Sequence, residues 1–452
     1  DPKRKRRPRV ARKFVVETFG CQMNYHDSER ITGLLEADGY TPGTDVADAD
    51  LVVLNTCSVR EKAVAKLRSR LGEIRDDARE RGVAPPMIAV SGCVAQQEGD
   101  KLLAGGSSID VVIGTQAVKQ LPRVIEEARE HRKPRVDINP YEDVSFPLGV
   151  ARGADPVRAW VTIIEGCNEF CAFCVVPYTR GHERMRPVAD ILAEVRRAAE
   201  TGHPEVQLLG QIVNHYQAPD EACDFAELLA RVSEVDGIER IRFASPHPRH
   251  VTPRLIAAIR DLPKVAKHLH LPVQSGSNTV LKAMRRRYTR EEYLDGIAAL
   301  REAVPSIALS TDMIVGFPGE TDEDFELTMD LVRRAQYHSM FSFKYSPRPN
   351  TLAIKRMPDD VPEGEKTRRI MALQDLQKDI QGQLYTAMVG QIELVLVDAE
   401  SKRREWELQG RTSGNTIVNF AGDSRLVGRI VPVRITSATP NSLRGEVVRD
   451  AD

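Results

Sequence analysis

Three of the chain's seven cysteines stand close together, at positions 167, 171 and 174 of the stretch EGCNEFCAFCVVPYTRG, residues 165–181. Thiolates at such spacing are soft ligands that suit zinc or an iron–sulfur cluster. Structural zinc closes its shell with four ligands, and here a fourth exists only if His182 serves. A 4Fe–4S cluster held by three thiolates leaves one iron open, and an open iron binds and activates a small molecule. The C-x3-C-x2-C spacing directly after an apolar run favours the cluster. Three further cysteines, Cys21, Cys57 and Cys93, recur at equal intervals of 36 residues. Each ends a short β-branched run: KFVVETFGC, ADLVVLNTC and PMIAVSGC. The seventh, Cys223, sits at a helix start in EACDFAELL and is expected to be incidental.

The elements that must position these thiols follow from hydrophobic period. Residues 13–145 alternate β-branched runs with amphipathic helical stretches such as SERITGLLEADG, the pattern of a parallel α/β domain. A 36-residue interval is about one strand-helix unit, so all three upstream thiols are expected at the carboxyl edge of one sheet, where such sheets bind ligands. IDVVIGT closes this segment, and DINPYEDVSFPLGVARGADP reads as a loop. A second strand-helix series fills residues 152–385, from RAWVTIIEGC to MFSFKYSP, with six units, which suits a partial (βα)6 barrel. Ile370, Leu373, Leu376, Ile380 and Leu384 mark a connecting helix, and residues 386–450 read as a small β-barrel of short alternating strands. Gln211, Gln274 and Asp312 fall at strand ends on the ligand side. His268 and His270 alternate on one strand and are expected to pack in the core. GFPGE has neither a phosphate-loop nor a dinucleotide spacing.

Composition narrows the setting. Lys plus Arg number 64 against 65 Asp plus Glu, so net charge gives no argument for nucleic acid. The run KRKRRPR at 3–9, within a basic tail of residues 1–12, reads as disordered or as an RNA-contacting arm. An odd cysteine count without a secretory leader speaks against a disulfide framework. No apolar run reaches about 18 residues, so no membrane span is expected, and a cytoplasmic enzyme is the default.

The cysteine loop resembles that of the radical S-adenosylmethionine superfamily, including the aromatic residue before the last cysteine, here Phe173. TFGCQMN, LNTCSVREKA and SGCVAQ upstream, CVVPYTRG, LLGQIVNHY, HLPVQSGSNTVLKAM, DMIVGFPGET and FKYSPRPNT centrally, and the terminal barrel together resemble the methylthiotransferases with their TRAM module. GCQMN is most similar to the MiaB type, which modifies tRNA. The resemblance implies two 4Fe–4S clusters, on Cys21, Cys57, Cys93 and on Cys167, Cys171, Cys174. It implies S-adenosylmethionine held by Phe173, Gln211, Gln274 and Asp312, and a monomer served by an electron donor such as flavodoxin or ferredoxin. The implied reaction is methylthiolation at C2 of N6-isopentenyladenosine beside the tRNA anticodon. Alternatives are N6-threonylcarbamoyladenosine in tRNA, a ribosomal protein side chain, or a non-catalytic iron–sulfur redox sensor that binds RNA. His215 and Arg287 depart from the family pattern, Arg287 standing where Gly is usual. Arg411, in the terminal barrel, is expected to contribute to tRNA affinity.

Overall fold

The computed structural model describes residues 12–20, 22–58, 62–104, 108–140, 155–401 and 406–448. The basic run at 3–9 and Cys21 lie outside them. The chain divides into two compact units. One holds the amino-terminal sheet together with Glu165–Cys167 and Val175–Arg184; the other holds Asp155–Ile164, Asn168–Cys174 and the chain from Met185 onward. The division is therefore not a single cut near residues 145–152, because both flanks of the cysteine loop group with the first unit.

In the first unit the β-branched runs form a six-stranded parallel sheet. Its order is Thr41–Pro42, Lys13–Phe19, Leu51–Thr56, Met87–Gly92, Val111–Ile113, Arg135–Asp137. Val52, Val53, Leu54, Ile88, Ala89 and Val90 are fully buried. Successive side chains point to opposite faces, so unbroken burial requires cover on both sides. Helix Gln22–Ala37 supplies Ile31 and Leu35 to one face, and helix Lys62–Glu80 supplies Leu67 and Ile74 to the other. The strand Arg135–Asp137 corrects the sequence reading, which closes the sheet at IDVVIGT. Three residues, followed by Ile138, Asn139 and Pro140, carry no legible period; they become a strand by pairing with Val111–Ile113.

The second unit carries two three-stranded parallel sheets. Arg158–Thr162, Glu205–Leu209 and Arg240–Phe243 form one; His268–His270, Ala308–Val315 and Ser339–Lys344 form the other. A parallel bridge from Ile241 to Val265 continues the first. This is the six-strand partial barrel anticipated from period. Helices begin where hydroxyl and carboxylate caps stand: Asp224, Thr252, Thr289 and Thr321 each accept a backbone N–H of the first turn, the last two within capping boxes. Along Ala308–Val315, Leu309, Met313 and Val315 join the core shared with the helices, leaving Ser310, Asp312 and Ile314 on the inner face.

Helix Glu363–Ala387 leads into a closed five-stranded barrel, ordered Ile392–Glu400, Glu407–Arg411, Ile417–Ala421, Leu443–Val447, Ile430–Ala438. Tyr385 at the helix end packs into that barrel's core with Val395, Leu408 and Phe420. Hydrogen bonds tie it to the parallel sheet: Arg240 donates to Arg411 O (2.7 Å), Arg242 to Thr412 O (2.6 Å), and Lys267 N–H to Ser413 Oγ (2.8 Å). No helix among the described residues is long and apolar enough to cross a membrane.

Candidate cluster and cofactor site

Cys167, Cys171 and Cys174 lie on the one loop that follows strand Ile164–Glu165. Its entry needs glycine. Gly166 has φ +82°, and a Cβ there would stand 2.0 Å from His182 O. The Cys167 N–H donates to Gly181 O (3.1 Å). Farther along, Ala172 anchors the loop through its backbone: its N–H donates to Met284 O (2.9 Å) and its carbonyl accepts from Ala353 N–H (2.8 Å). Its methyl is fully buried among Val280, Met284, Phe317 and Tyr345, with Phe173 packed against the same cluster. The Cys174 N–H closes a turn on Cys171 O (3.1 Å). Cys171 and Cys174 are half-buried, as thiols that must meet a bound group should be.

Sequence reading missed Arg286. This arginine is 6% exposed and donates to Cys171 Sγ (3.4 Å), to the Tyr288 hydroxyl (2.9 Å) and to Pro272 O (2.8 Å). A fixed cation thus stands beside one of the proposed cluster thiols. Its signal, the run MRRRYT, does not distinguish it from Arg285 or Arg287. Arg285 and Arg287 both take left-handed φ, +59° and +53°. The usual glycine at position 287 would meet that conformation without cost.

The residues expected to hold S-adenosylmethionine line the same mouth. Gln211 follows strand Glu205–Leu209, and its Oε1 is buried with no partner among the described residues. Gln274 has φ +76°, a conformation side chains seldom adopt. It is held there by its N–H to Asp312 O and by Ile314 N–H to its carbonyl, both 2.9 Å. Such over-determined strain is characteristic of binding sites. Asp312 Oδ1 stands 3.4 Å from His270 Nε2, while Ser310 Oγ bridges His270 Nδ1 (2.9 Å) and His268 Nε2 (3.0 Å). These histidines are not core packing. Both are half-buried on the inner face, and burial holds His268 well below the ordinary imidazole range. An unpartnered buried acceptor and a strained backbone beside soft thiols fit a cluster with a polar cofactor.

Glu169, His247, His250 and His215 form a second polar group. Glu169 Oε1 lies 3.3 Å from His250 Nε2, whose ring stacks on His215 at 4.2 Å between centroids. The ligating atoms of Glu169, His247 and His250 lie within 4.8 Å of one another. His247 Nδ1, however, accepts the Arg249 N–H (3.2 Å), which leaves the ring proton on Nε2. That edge is a hydrogen-bond donor, not a lone pair for a cation.

In the first unit Thr56 and Gly92 are register partners, so Cys57 and Cys93, the next residues, stand side by side at the carboxyl edge. The Cys57 N–H donates to Phe19 O (3.0 Å) on the neighbouring strand that leads to Cys21. Gly92, φ +90°, has no room for a Cβ, which would meet Thr56 O at 2.3 Å. Asn55 donates to Asn24 O (2.7 Å), tying the first turn of helix Gln22–Ala37 to strand Leu51–Thr56. Cys223 is 2% exposed within the barrel core, and burial pushes its thiol up. Arg411 Nε is 3.2 Å from Asp398 Oδ2, and its side chain is 28% exposed, so it is partly engaged by the protein's own carboxylate.

Residues 13–114 match the uncharacterized protein family UPF0004, residues 161–332 the radical SAM superfamily, and residues 386–448 the TRAM domain. A protein of Methylococcus capsulatus is 46% identical over 443 residues, covering 97% of this chain and 96% of its own. One from Geobacter metallireducens is 46% identical over 439 residues, covering 96% and 98%. Both are named tRNA-2-methylthio-N(6)-dimethylallyladenosine synthase. The chain belongs to this tRNA methylthiotransferase family. Among solved structures, the radical S-adenosylmethionine methyltransferase TsrM of Kitasatospora setae aligns with TM-score 0.57 at 14% identity, over 76% of this chain and 77% of its own. The cobalamin-dependent radical enzyme OxsB aligns with TM-score 0.53 at 14% identity, over 82% and 56%. At that identity the likeness speaks for the fold alone. The stretch that matches the radical SAM superfamily, residues 161–332, includes the loop of Cys167, Cys171 and Cys174.

Proposed function

We propose that this methylthiotransferase replaces the C2 hydrogen of N6-isopentenyladenosine, beside a tRNA anticodon, with a methylthio group. The observation that carries the reading is the Cys167, Cys171, Cys174 loop, seated at the mouth of a partial barrel in a chain 46% identical to named synthases of this product. When bound, a cluster with an open iron supplies the electron that splits S-adenosylmethionine and so creates the radical needed for an aromatic C–H too weakly acidic for a base. Cys167, Cys171 and Cys174 hold that cluster. Phe173, Gln211, the strained Gln274 backbone and Asp312 bind and orient the cofactor. The barrel wall excludes water and stray hydrogen donors, and binding the nucleotide beside the cofactor replaces a chance encounter with a fixed approach.

Cys21, Cys57 and Cys93 would hold a second 4Fe–4S cluster, which would supply the sulfur. Support comes from the matched strand ends before Cys57 and Cys93 and from the equal interval to Cys21. The protein works as a monomer and takes electrons from a small carrier of the flavodoxin or ferredoxin kind. The test is mass spectrometry of nucleosides from the tRNA of a deletion strain, with and without the restored gene. Methylthiolated isopentenyladenosine should vanish and return, its isopentenylated precursor accumulating meanwhile. Unchanged methylthio content in the deletion strain would contradict the reading.

A further inference from the structure

The last strand of the partial barrel, Ser339–Lys344, pairs with Ala308–Val315 and has no second neighbour among the described strands. Its register sets Phe341 opposite Asp312 and Phe343 opposite Ile314, so both rings stand on the inner face. Thr311, Met313 and Val315 pair instead with Met340, Ser342 and Lys344, which turn to the helix: Ser342 Oγ accepts from Gln374 (2.9 Å) and Lys344 bonds Glu363 (2.6 Å). The two phenylalanines are 59% and 51% exposed. Two large rings on one face, each more than half in water, are costly unless a ligand covers them. The Phe341 ring meets His270 edge-on at 6.0 Å, which joins the pair to the Asp312 wall of the cofactor mouth. Along the open strand edge runs a groove of about 470 Å³ between Met340–Phe343 and the connecting helix at Gln374, Gln377, Lys378 and Gln381, reaching Pro440 and Asn441 of the TRAM barrel; Phe341 and Phe343 line it as well as facing the Asp312 wall. That volume falls within the range of small-molecule sites, roughly 300–1,000 Å³.

Resting on the reading of the substrate above, we propose that Phe341 and Phe343 form the nucleobase site: they stack on the splayed-out adenine and pack its branched five-carbon N6 substituent. Unpaired bases in RNA loops are read by stacking on aromatic rings, and chemistry on a base requires that it leave its stack. An adenine with an apolar branch matches a wall that is aromatic at the edge and polar at Asp312 and His270. The groove's other margin is the TRAM barrel, so the anticodon loop enters from the side where the chain carries its RNA-binding module.

The test uses the full-length holoenzyme and two anticodon stem-loops that differ only in adenosine against N6-isopentenyladenosine. Wild type should bind the isopentenylated loop roughly tenfold more tightly, the equivalent of burying about two methylenes. In Phe341→Leu with Phe343→Leu, which keeps apolar volume but removes stacking, both loops should weaken. In the double alanine variant the preference should fall to within about twofold, with iron content and circular dichroism as in wild type. The rings are exposed, so neither variant threatens folding. Wild type that discriminates beside a double alanine variant that discriminates equally overturns the nucleobase site alone. Wild type that binds both loops equally overturns the substrate reading, and the site with it.

Discussion

At the scale of single residues, Arg286 is the group whose effect is most directly measurable. Its guanidinium, buried and donating to Cys171 Sγ, would stabilise negative charge on the sulfur and hence on a reduced cluster held by this loop. A buried unit charge a few ångströms away is felt strongly, since little solvent screens it. Arg286→Met should therefore lower the midpoint potential of the cluster on this loop by roughly 60 mV or more, a tenfold change in a one-electron equilibrium. Arg286→Lys should restore part of the shift. A potentiometric titration followed by electron paramagnetic resonance decides it, and an unchanged potential in a variant with normal iron content contradicts the role. The cysteines were legible in the sequence because three soft ligands at fixed spacing have few other uses. Arg286 was not: its partner Cys171 lies 115 positions away, and only the fold brings them together.

At the scale of elements, the junction between the parallel sheet and the TRAM barrel rests on buried charge. Glu205 is fully buried; its carboxylate accepts from Arg242 (3.0 Å) and from Arg158, and Arg242 in turn donates to Thr412 O of the barrel. Burial alone would raise the Glu205 carboxyl, but Arg242 and Arg158 outweigh it and hold it below its ordinary range. Asp398 behaves oppositely: burial raises it more than Arg158 and Arg411 lower it. Breaking such a pair by removing one partner costs about 3–5 kcal/mol, because the remaining charges stay buried. Glu205→Gln should lower the urea midpoint at neutral pH and speed proteolysis near the junction. A depressed native pKa means the stabilisation is present above the unfolded carboxylate value and fades as pH falls through the native one. The difference between variant and wild type should accordingly shrink in acid; a constant difference contradicts the ionic origin. Strands with strong period, such as Leu51–Thr56, were readable. Arg135–Asp137 was not, because three residues hold too little pattern and pairing alone makes them a strand.

At the scale of the whole molecule, the order of sheet, partial barrel and small barrel was written in hydrophobic period, since each segment changes rhythm where its partner layer changes. Arg411 illustrates the limit. An arginine in the TRAM barrel invites assignment to phosphate, and the sequence does not show that Asp398, on the neighbouring strand, already pairs with it. His268 and His270 illustrate the converse, an alternation that fits a core strand and also one face of a lined mouth. The two cysteine trios remain the centre of the functional reading: one for radical generation, one for sulfur. The measurement that tests this most directly is a comparison of wild type with the variant carrying Ala at positions 21, 57 and 93, both reconstituted and incubated with an isopentenylated anticodon stem-loop. Wild type should carry about twice the iron of the variant, since each trio would hold one cluster, and should yield the methylthio nucleoside. The variant should still cleave S-adenosylmethionine but transfer no sulfur. A wild type holding only one cluster's worth of iron, or a variant that still methylthiolates the loop, would contradict the division of labour between the two trios.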